Sequence, residues 1–246
     1  ITENDSEQDK NMVIPTEIPI LPLRNTVLFP GVVIPITAGR DKSIKLINDA
    51  NKGNKVIVLP NIPFGVNTGQ LDVPFCINMN PSTQLAILND VCDVLLRHGI
   101  TKLVILNGHG ANNFVSMIRE LAGKFPSLFV CVVNWFNATP KYDIFQNKGD
   151  HADEMETSVM MHLYPQLLLP LSEAGDGATK SFNIKGVKEG WAWAQRPWTM
   201  ITKDTGSGDP SLSNPDKGKL FLEKCAEQIS EFYGEINGKT ISSMLK

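Results

Sequence analysis

Residues 102–112 read Lys102-Leu-Val-Ile-Leu-Asn-Gly-His-Gly-Ala-Asn112. The apolar run 102–106 is short and ends at once in Asn and Gly, the residues that turns use, so it predicts a buried strand closed by a tight polar turn. Beyond the turn Phe114, Ile118, Leu121 and Ala122 recur at helical spacing, which predicts an amphipathic helix. A strand, a small-residue turn and a helix in that order place His109 at the carboxyl edge of a sheet. Open α/β folds keep their ligands at that edge.

The same alternation extends outward. Lys55-Val-Ile-Val-Leu59 predicts a strand ended by Pro60, followed by a long loop to Pro81. Leu85, Leu88, Cys92, Leu95 and Leu96 predict a helix that His98-Gly99 closes, with His98 a favourable charge at its end. On the other side, Leu128 to Val133 predicts a strand ending at Asn134-Trp135. Strands alternating with helices predict an α/β fold with a mostly parallel, doubly wound sheet and right-handed crossovers.

A second polar cluster, Gly149-Asp-His-Ala-Asp-Glu-Met-Glu-Thr-Ser158, follows some forty residues after the first. Two of the four histidines lie in these clusters; His162, farther along, reads as packing or surface. Each cluster has a plain reading. Asn-Gly-His-Gly is a good polar turn, and Asp150 to Glu156 would serve as a solvated first helical turn whose carboxylates favour the helix dipole. Two histidine clusters at helix mouths point instead to a site, and to metal-assisted hydrolysis as its chemistry.

Helical residues from Val159 to Tyr164 stop at Pro165, and 171–218 reads as a long excursion rich in Gly, Ser, Asp and Trp. Leu222, Cys225, Ile229, Phe232, Tyr233 and Ile236 form one stripe of a closing helix. Within the excursion, Trp191, Trp193 and Trp198 suit a subunit contact or a stacked planar ligand. Asp204 and Asp209 suit turns, and Asp72 suits solvent.

The chain has 246 residues, 42% hydrophobic and 20% charged, enough to bury a core without staples. A net charge of −3 gives no electrostatic reason to expect nucleic acid or an anionic membrane surface as partner. No apolar run approaches a membrane span and no signal peptide is visible. Cys76, Cys92, Cys131 and Cys225 are scattered through apolar segments and read as small buried hydrophobes in a reduced, cytoplasmic setting. Residues 1–12, with Glu3, Asp5, Glu7 and Asp9, read as a disordered acidic leader. From Ile14 to Ile36 proline density rules out a helix and predicts short edge strands, with a turn at Pro30-Gly31; Asp41 then caps a short helix that Gly53 closes.

Residues from about 55 to 236 resemble the creatininase (creatinine amidohydrolase) family. The elements that carry the resemblance are Val58-Leu-Pro-Asn-Ile-Pro-Phe-Gly65, Asn107-Gly-His-Gly-Ala-Asn112, His151-Ala-Asp-Glu-Met-Glu-Thr-Ser158 with Leu163-Tyr-Pro165, Gly190-Trp-Ala-Trp193, and Asp204-Thr-Gly-Ser-Gly-Asp-Pro210. The resemblance implies a three-layer α/β/α domain, a homo-oligomer (commonly a hexamer), and a divalent metal pair, Zn²⁺ or Mn²⁺. It also implies hydrolysis of a C–N bond in a cyclic amide, formamide or related small substrate. It makes His109 a metal ligand, His151 a catalytic proton carrier, and Glu156 a metal ligand or catalytic base. Asn112 and Trp135 are then candidates for contacting substrate.

The resemblance also exposes departures. The family's first loop carries a Glu and a His that supply much of the metal shell. Here Leu21-Pro-Leu23 and Thr26 are present, but Val27 and Phe29 occupy those two positions and offer no electron pair to a cation. Asp41 is a candidate for the bridging Asp, at a longer spacing, and Ala111 stands where creatininase has a further Glu. Residues 18–50 instead resemble the start of the amino-terminal substrate-recognition domain of Lon proteases, through Pro22-Leu-Arg-Asn-Thr-Val-Leu-Phe-Pro-Gly31, Pro35-Ile36 and Gly39-Arg40.

The chain thus reads as a leader (1–12), a Lon-like strand–turn–helix in place of the usual first strand and metal loop (13–53), and a creatininase-like body (54–246). Three functions follow as expectations: a metal-dependent amidohydrolase, a metal-deficient relative acting as a binding or structural oligomer, and an adaptor that recognises unfolded chains.

Overall fold

The computed structural model describes residues 57–245. The expected leader, the Lon-like segment, the beginning of the strand at Lys55, and Val27, Phe29 and Asp41 all lie outside the described residues.

The sheet among the described residues is a parallel pair, β1 (Lys102–Asn107) and β2 (Phe129–Asn134), with Leu103 opposite Val130 and Asn107 opposite Asn134. Helix α1 (Pro81–Arg97) leads into β1 and helix α2 (Phe114–Lys124) makes the crossover to β2. Pro81 sits in the first turn of α1, where its missing N–H leaves no bond unmade. The helix stops at His98, and Gly99, at φ +71°, takes the left-handed turn that follows. Leu88 and Cys92 of α1, Met117 and Leu121 of α2, and Phe125 and Leu128 after it form one core, against which Leu103, Ile105 and Val130 of the strands pack. The fold is α/β, as the alternation predicts.

A second core lies beyond β2. Helices α3 (Glu154–Leu163) and α6 (Pro215–Ile236) pack through Met155, Val159, Phe221 and Cys225, with Phe145, Trp135 and Phe136 around them. The two helices meet closely because Gly218 has no side chain: a Cβ there would overlap the Ser158 carbonyl. Between them run short helices α4 (Lys185–Lys188) and α5 (Trp198–Ile201) in otherwise irregular chain.

Several expectations need correction. The stripe of the closing helix centres on Phe221, which is fully buried, and Leu222 only flanks it; the expected stripe began one residue late because Leu222 and Cys225 share its spacing. That helix starts at Pro215, inside the expected excursion, since Asn214 caps it by accepting from Asp216 N–H. Residues 57–59 belong to neither strand, and Val58 and Leu59 are exposed rather than buried. Of the cysteines, Cys92 and Cys225 are buried, whereas Cys76 and Cys131 are only partly so; all four are unpaired. Asp72 is exposed, as its solvated reading expects, and its carboxylate accepts the Thr199 hydroxyl. The three tryptophans also separate: Trp198 is buried, while Trp191 and Trp193 are exposed. Among the described residues no helix is long and apolar enough to cross a membrane.

Candidate active site

The Asn-Gly-His turn is held by amides. Asn107, last in β1 and buried, accepts the His109 N–H through Oδ1 at 3.1 Å and donates through Nδ2 to the His109 carbonyl at 3.0 Å. It also donates to Asn134 Oδ1, at the same level of β2. The half-buried His109 ring brings Nε2 within 3.0 Å of the Val66 carbonyl. Gly65 makes room for it, since a Cβ there would press on the imidazole. Asn112 accepts from Val66 N–H (3.0 Å) and Gln84 Nε2 (2.9 Å) and donates to Asn107 Oδ1 (3.0 Å).

The second cluster forms a clip. His151 and Ser207 exchange backbone hydrogen bonds, His151 N–H to Ser207 carbonyl at 3.2 Å and Ser207 N–H to His151 carbonyl at 2.8 Å. Ala152 (φ +49°) and Thr205 (φ +70°) flank the clip in the left-handed region, which non-glycine residues seldom adopt. Such backbone is retained where surrounding bonds over-determine it. Here Ala152 N–H reaches Glu156 Oε2 at 2.7 Å, and the Thr205 carbonyl accepts Trp198 Nε1–H at 2.8 Å. The His151 ring stands edge-on to Trp198, centroids 5.5 Å apart, and its Nδ1 lies 3.8 Å from Glu156 Oε2. Arg196 stacks on the Trp198 ring at 4.6 Å and pairs with Asp150 at 2.6 Å.

Helix α3 begins beneath this clip. Asp153 caps it by accepting Glu156 N–H at 2.9 Å. Asp153 and Glu154 are buried, so the solvated reading of this turn fails for both. Glu154 receives Gln146 N–H (2.9 Å), Asn147 N–H (2.7 Å) and Lys217 Nζ (2.5 Å). Burial alone would raise its pKa, but the Lys217 bond, the two backbone donors and the Lys217 charge together hold it below the usual carboxylate value. Asp204 and Asp209 close turns, accepting from Gly206 and Ser211 respectively, as turn residues do.

His151 and Glu156 therefore stand together, as do His109 and Asn112. Trp135 instead packs on Phe221 and Phe136 in the second core. Among the described residues no hydrogen bond joins the two histidine clusters. The loop 65–72 spans them, touching His109 through Val66 and α5 through the bond from Thr199 to Asp72. An open depression of about 430 Å³ lies beside His151, lined by Lys148, Asp150, Thr179, Arg196 and the Gly177, Ser207 and Gly208 backbone, among others. The sequence reading passed over Gln84 and Arg196, and took Asp153 and Glu154 only as carboxylates of a helical turn. Asp153 with Glu156 three residues on has the spacing of a helix cap and could have been found; Arg196, 46 residues from Asp150, carries no local signal.

His109 fits a metal ligand in one respect. A ligating imidazole commonly donates its other N–H to a carbonyl, and the Val66 carbonyl occupies that position. The wider donor set does not fit. Among the described residues no three His, Cys, Asp or Glu side chains group closely enough to hold an ion, and Ala111 offers no donor.

The creatininase family model (creatinine amidohydrolase) matches residues 40–233, and the chain belongs to that family. A Bacteroides fragilis protein provisionally assigned as a creatinine amidohydrolase is 38% identical, with 80% of each chain covered and a TM-score of 0.70. A solved creatinine amidohydrolase (creatininase) is 21% identical with a TM-score of 0.60 over 81% of this chain and 82% of its own, a likeness that shows the fold. Creatininases of about that similarity have been solved in Zn–Zn and Mn forms. A stretch of 57 residues is 70% identical to the Lon protease of Flavobacterium johnsoniae. It covers 23% of this chain, and the chain spans 7% of that relative's length.

Proposed function

We propose that this chain hydrolyses a C–N bond of a small cyclic amide or formamide, with His151 as the residue that carries the proton. The observation that supports it is the mounting of His151, half-buried on a backbone clip with Glu156 facing Nδ1 and Trp198 against the ring. Amide hydrolysis needs a proton taken from the attacking water and delivered to the departing nitrogen, and an imidazole held within reach of both does this. Glu156 keeps the ring oriented and offsets its charge when the proton arrives. The open depression beside it admits a small substrate, and Arg196 and Lys148 on its wall would orient a polar one.

A divalent metal, Zn²⁺ or Mn²⁺, is part of the family's chemistry, where it supplies an activated water. In this chain His109 and Glu156 are the described candidates to hold it, though no three donor side chains group among the described residues. The three-layer arrangement belongs to the same proposal. Cys131 follows Val130 along β2 and so lies on the face opposite the first core. Self-association into a homo-oligomer is supported by the exposed rings of Trp191 and Trp193. The unpaired thiols support a cytoplasmic setting.

The test is hydrolysis of a panel of cyclic amides and formamides by the full chain, with and without added Zn²⁺ or Mn²⁺, beside elemental analysis of the purified protein. Turnover that His151→Ala abolishes upholds the reading. Stoichiometric metal without turnover, or neither, would make the chain a binding relative.

A further inference from the structure

The hydrogen bonds around His109 form a closed circuit whose direction is set by two backbone donors. Val66 N–H and His109 N–H can only donate, so Asn112 Oδ1 and Asn107 Oδ1 must accept. Asn112 Nδ2 is then the donor to Asn107 Oδ1, and Asn107 Nδ2 the donor to the His109 carbonyl. Gln84, on α1 and 5% exposed, must turn its Nε2 toward Asn112 Oδ1, which leaves its Oε1 buried without a partner among the described residues. The circuit closes at the ring: a carbonyl only accepts, so Nε2 beside the Val66 oxygen must carry the proton.

The geometry points to Gln84, Asn107 and Asn112 as positioning residues that hold His109 in one orientation and one tautomer, Nε2–H, with the Nδ1 lone pair free. Asn107 grips His109 by both its N–H and its carbonyl, Asn112 holds Val66, the residue that carries the accepting carbonyl, by its N–H, and Gln84 fixes Asn112. A buried Gln that keeps one amide bond at the expense of an unpartnered carbonyl is retained for what that bond orients; leaving a buried acceptor unmade is otherwise unfavourable. Asn112 Oδ1 accepts two of these bonds and Nδ2 donates a third, so the side chain orients the turn. The Nδ1 left free is the atom that the proposed function would use, and only that consequence rests on the functional reading, because the tautomer follows from the hydrogen bonds alone.

Nitrogen-15 NMR of the full chain, with imidazole nitrogens labelled, tests this. His109 is expected to show one tautomer, protonated at Nε2, with a ring N–H protected from exchange. Asn112→Ala should mix the tautomers and speed exchange of that proton about two- to tenfold, the factor that the loss of one hydrogen bond carries. Gln84→Met keeps the bulk of the side chain, removes the unpartnered carbonyl, and should shift the ring in the same direction by less. It serves as the informative variant if Asn112→Ala does not fold. A ring protonated at Nδ1 in the unaltered chain, or a ring unchanged in Gln84→Met, would overturn the assignment. Absence of amide hydrolysis with the Nε2–H tautomer intact would sink the functional reading and leave this one standing.

Discussion

His151 is half-buried and contributes little to either core, so His151→Ala should separate chemistry from stability. Turnover of a cyclic amide is expected to fall by about 10²- to 10⁴-fold, the usual contribution of a positioned acid–base group, with the melting temperature nearly unchanged. Glu156→Gln keeps an oxygen for Ala152 N–H but removes the charge facing Nδ1. It should lower kcat by roughly tenfold, about 1.4 kcal/mol of barrier, without raising KM. Steady-state kinetics beside thermal melts check both. The proximity of these two residues was legible in the sequence, because a His and a Glu in a helix-opening cluster stand out in a chain with four histidines. Trp198, which supports the ring, was read only as one of three tryptophans: sequence spacing does not tell a buried indole from an exposed one.

The start of α3 carries the clip, and its stability is set by Asp153 and Glu154. Asp153→Ala removes the cap on Glu156 N–H and should lower stability by ~1 kcal/mol. Glu154→Ala strands Lys217 and two backbone donors, a loss of roughly 3–5 kcal/mol by the measure of other buried pairs. The pH dependence follows from the same carboxylate. Its folded pKa lies below the unfolded value, so its contribution is fully present above the unfolded carboxylate pKa and disappears as pH falls through the folded one. Urea midpoints of the native chain and Glu154→Gln should therefore differ at neutral pH and converge in acid. At this scale periodicity was a good guide. Helices α1 and α2 and strands β1 and β2 fall where apolar spacing puts them, whereas the pairing of Glu154 with Lys217, 63 residues apart, has no trace in local pattern.

At the scale of the whole molecule, the α/β class and the creatininase ancestry were both legible, the first from alternation and the second from motifs that keep their order along the chain. The approach of loop 65–72 to both clusters was not, because it depends on contacts between Gly65 and His109 and between Asp72 and Thr199 that no periodicity encodes. Light scattering after gel filtration should find an oligomer, and charged replacements at Trp191 and Trp193 should dissociate it if those exposed rings form the contact. One last feature concerns how such a site can change. Beside His151, Gly149, Gly177 and Gly208 bring three distant stretches of main chain together, with Asp153 against the first and last; a Cβ at any of the three would strike the backbone of another. The scaffold under the depression is therefore built mainly from main chain, while its rim is built from Lys148, Thr179 and Arg196. Lys148 and Thr179 can be exchanged without disturbing that framework, so ligand preference is free to drift while His151 keeps its seat.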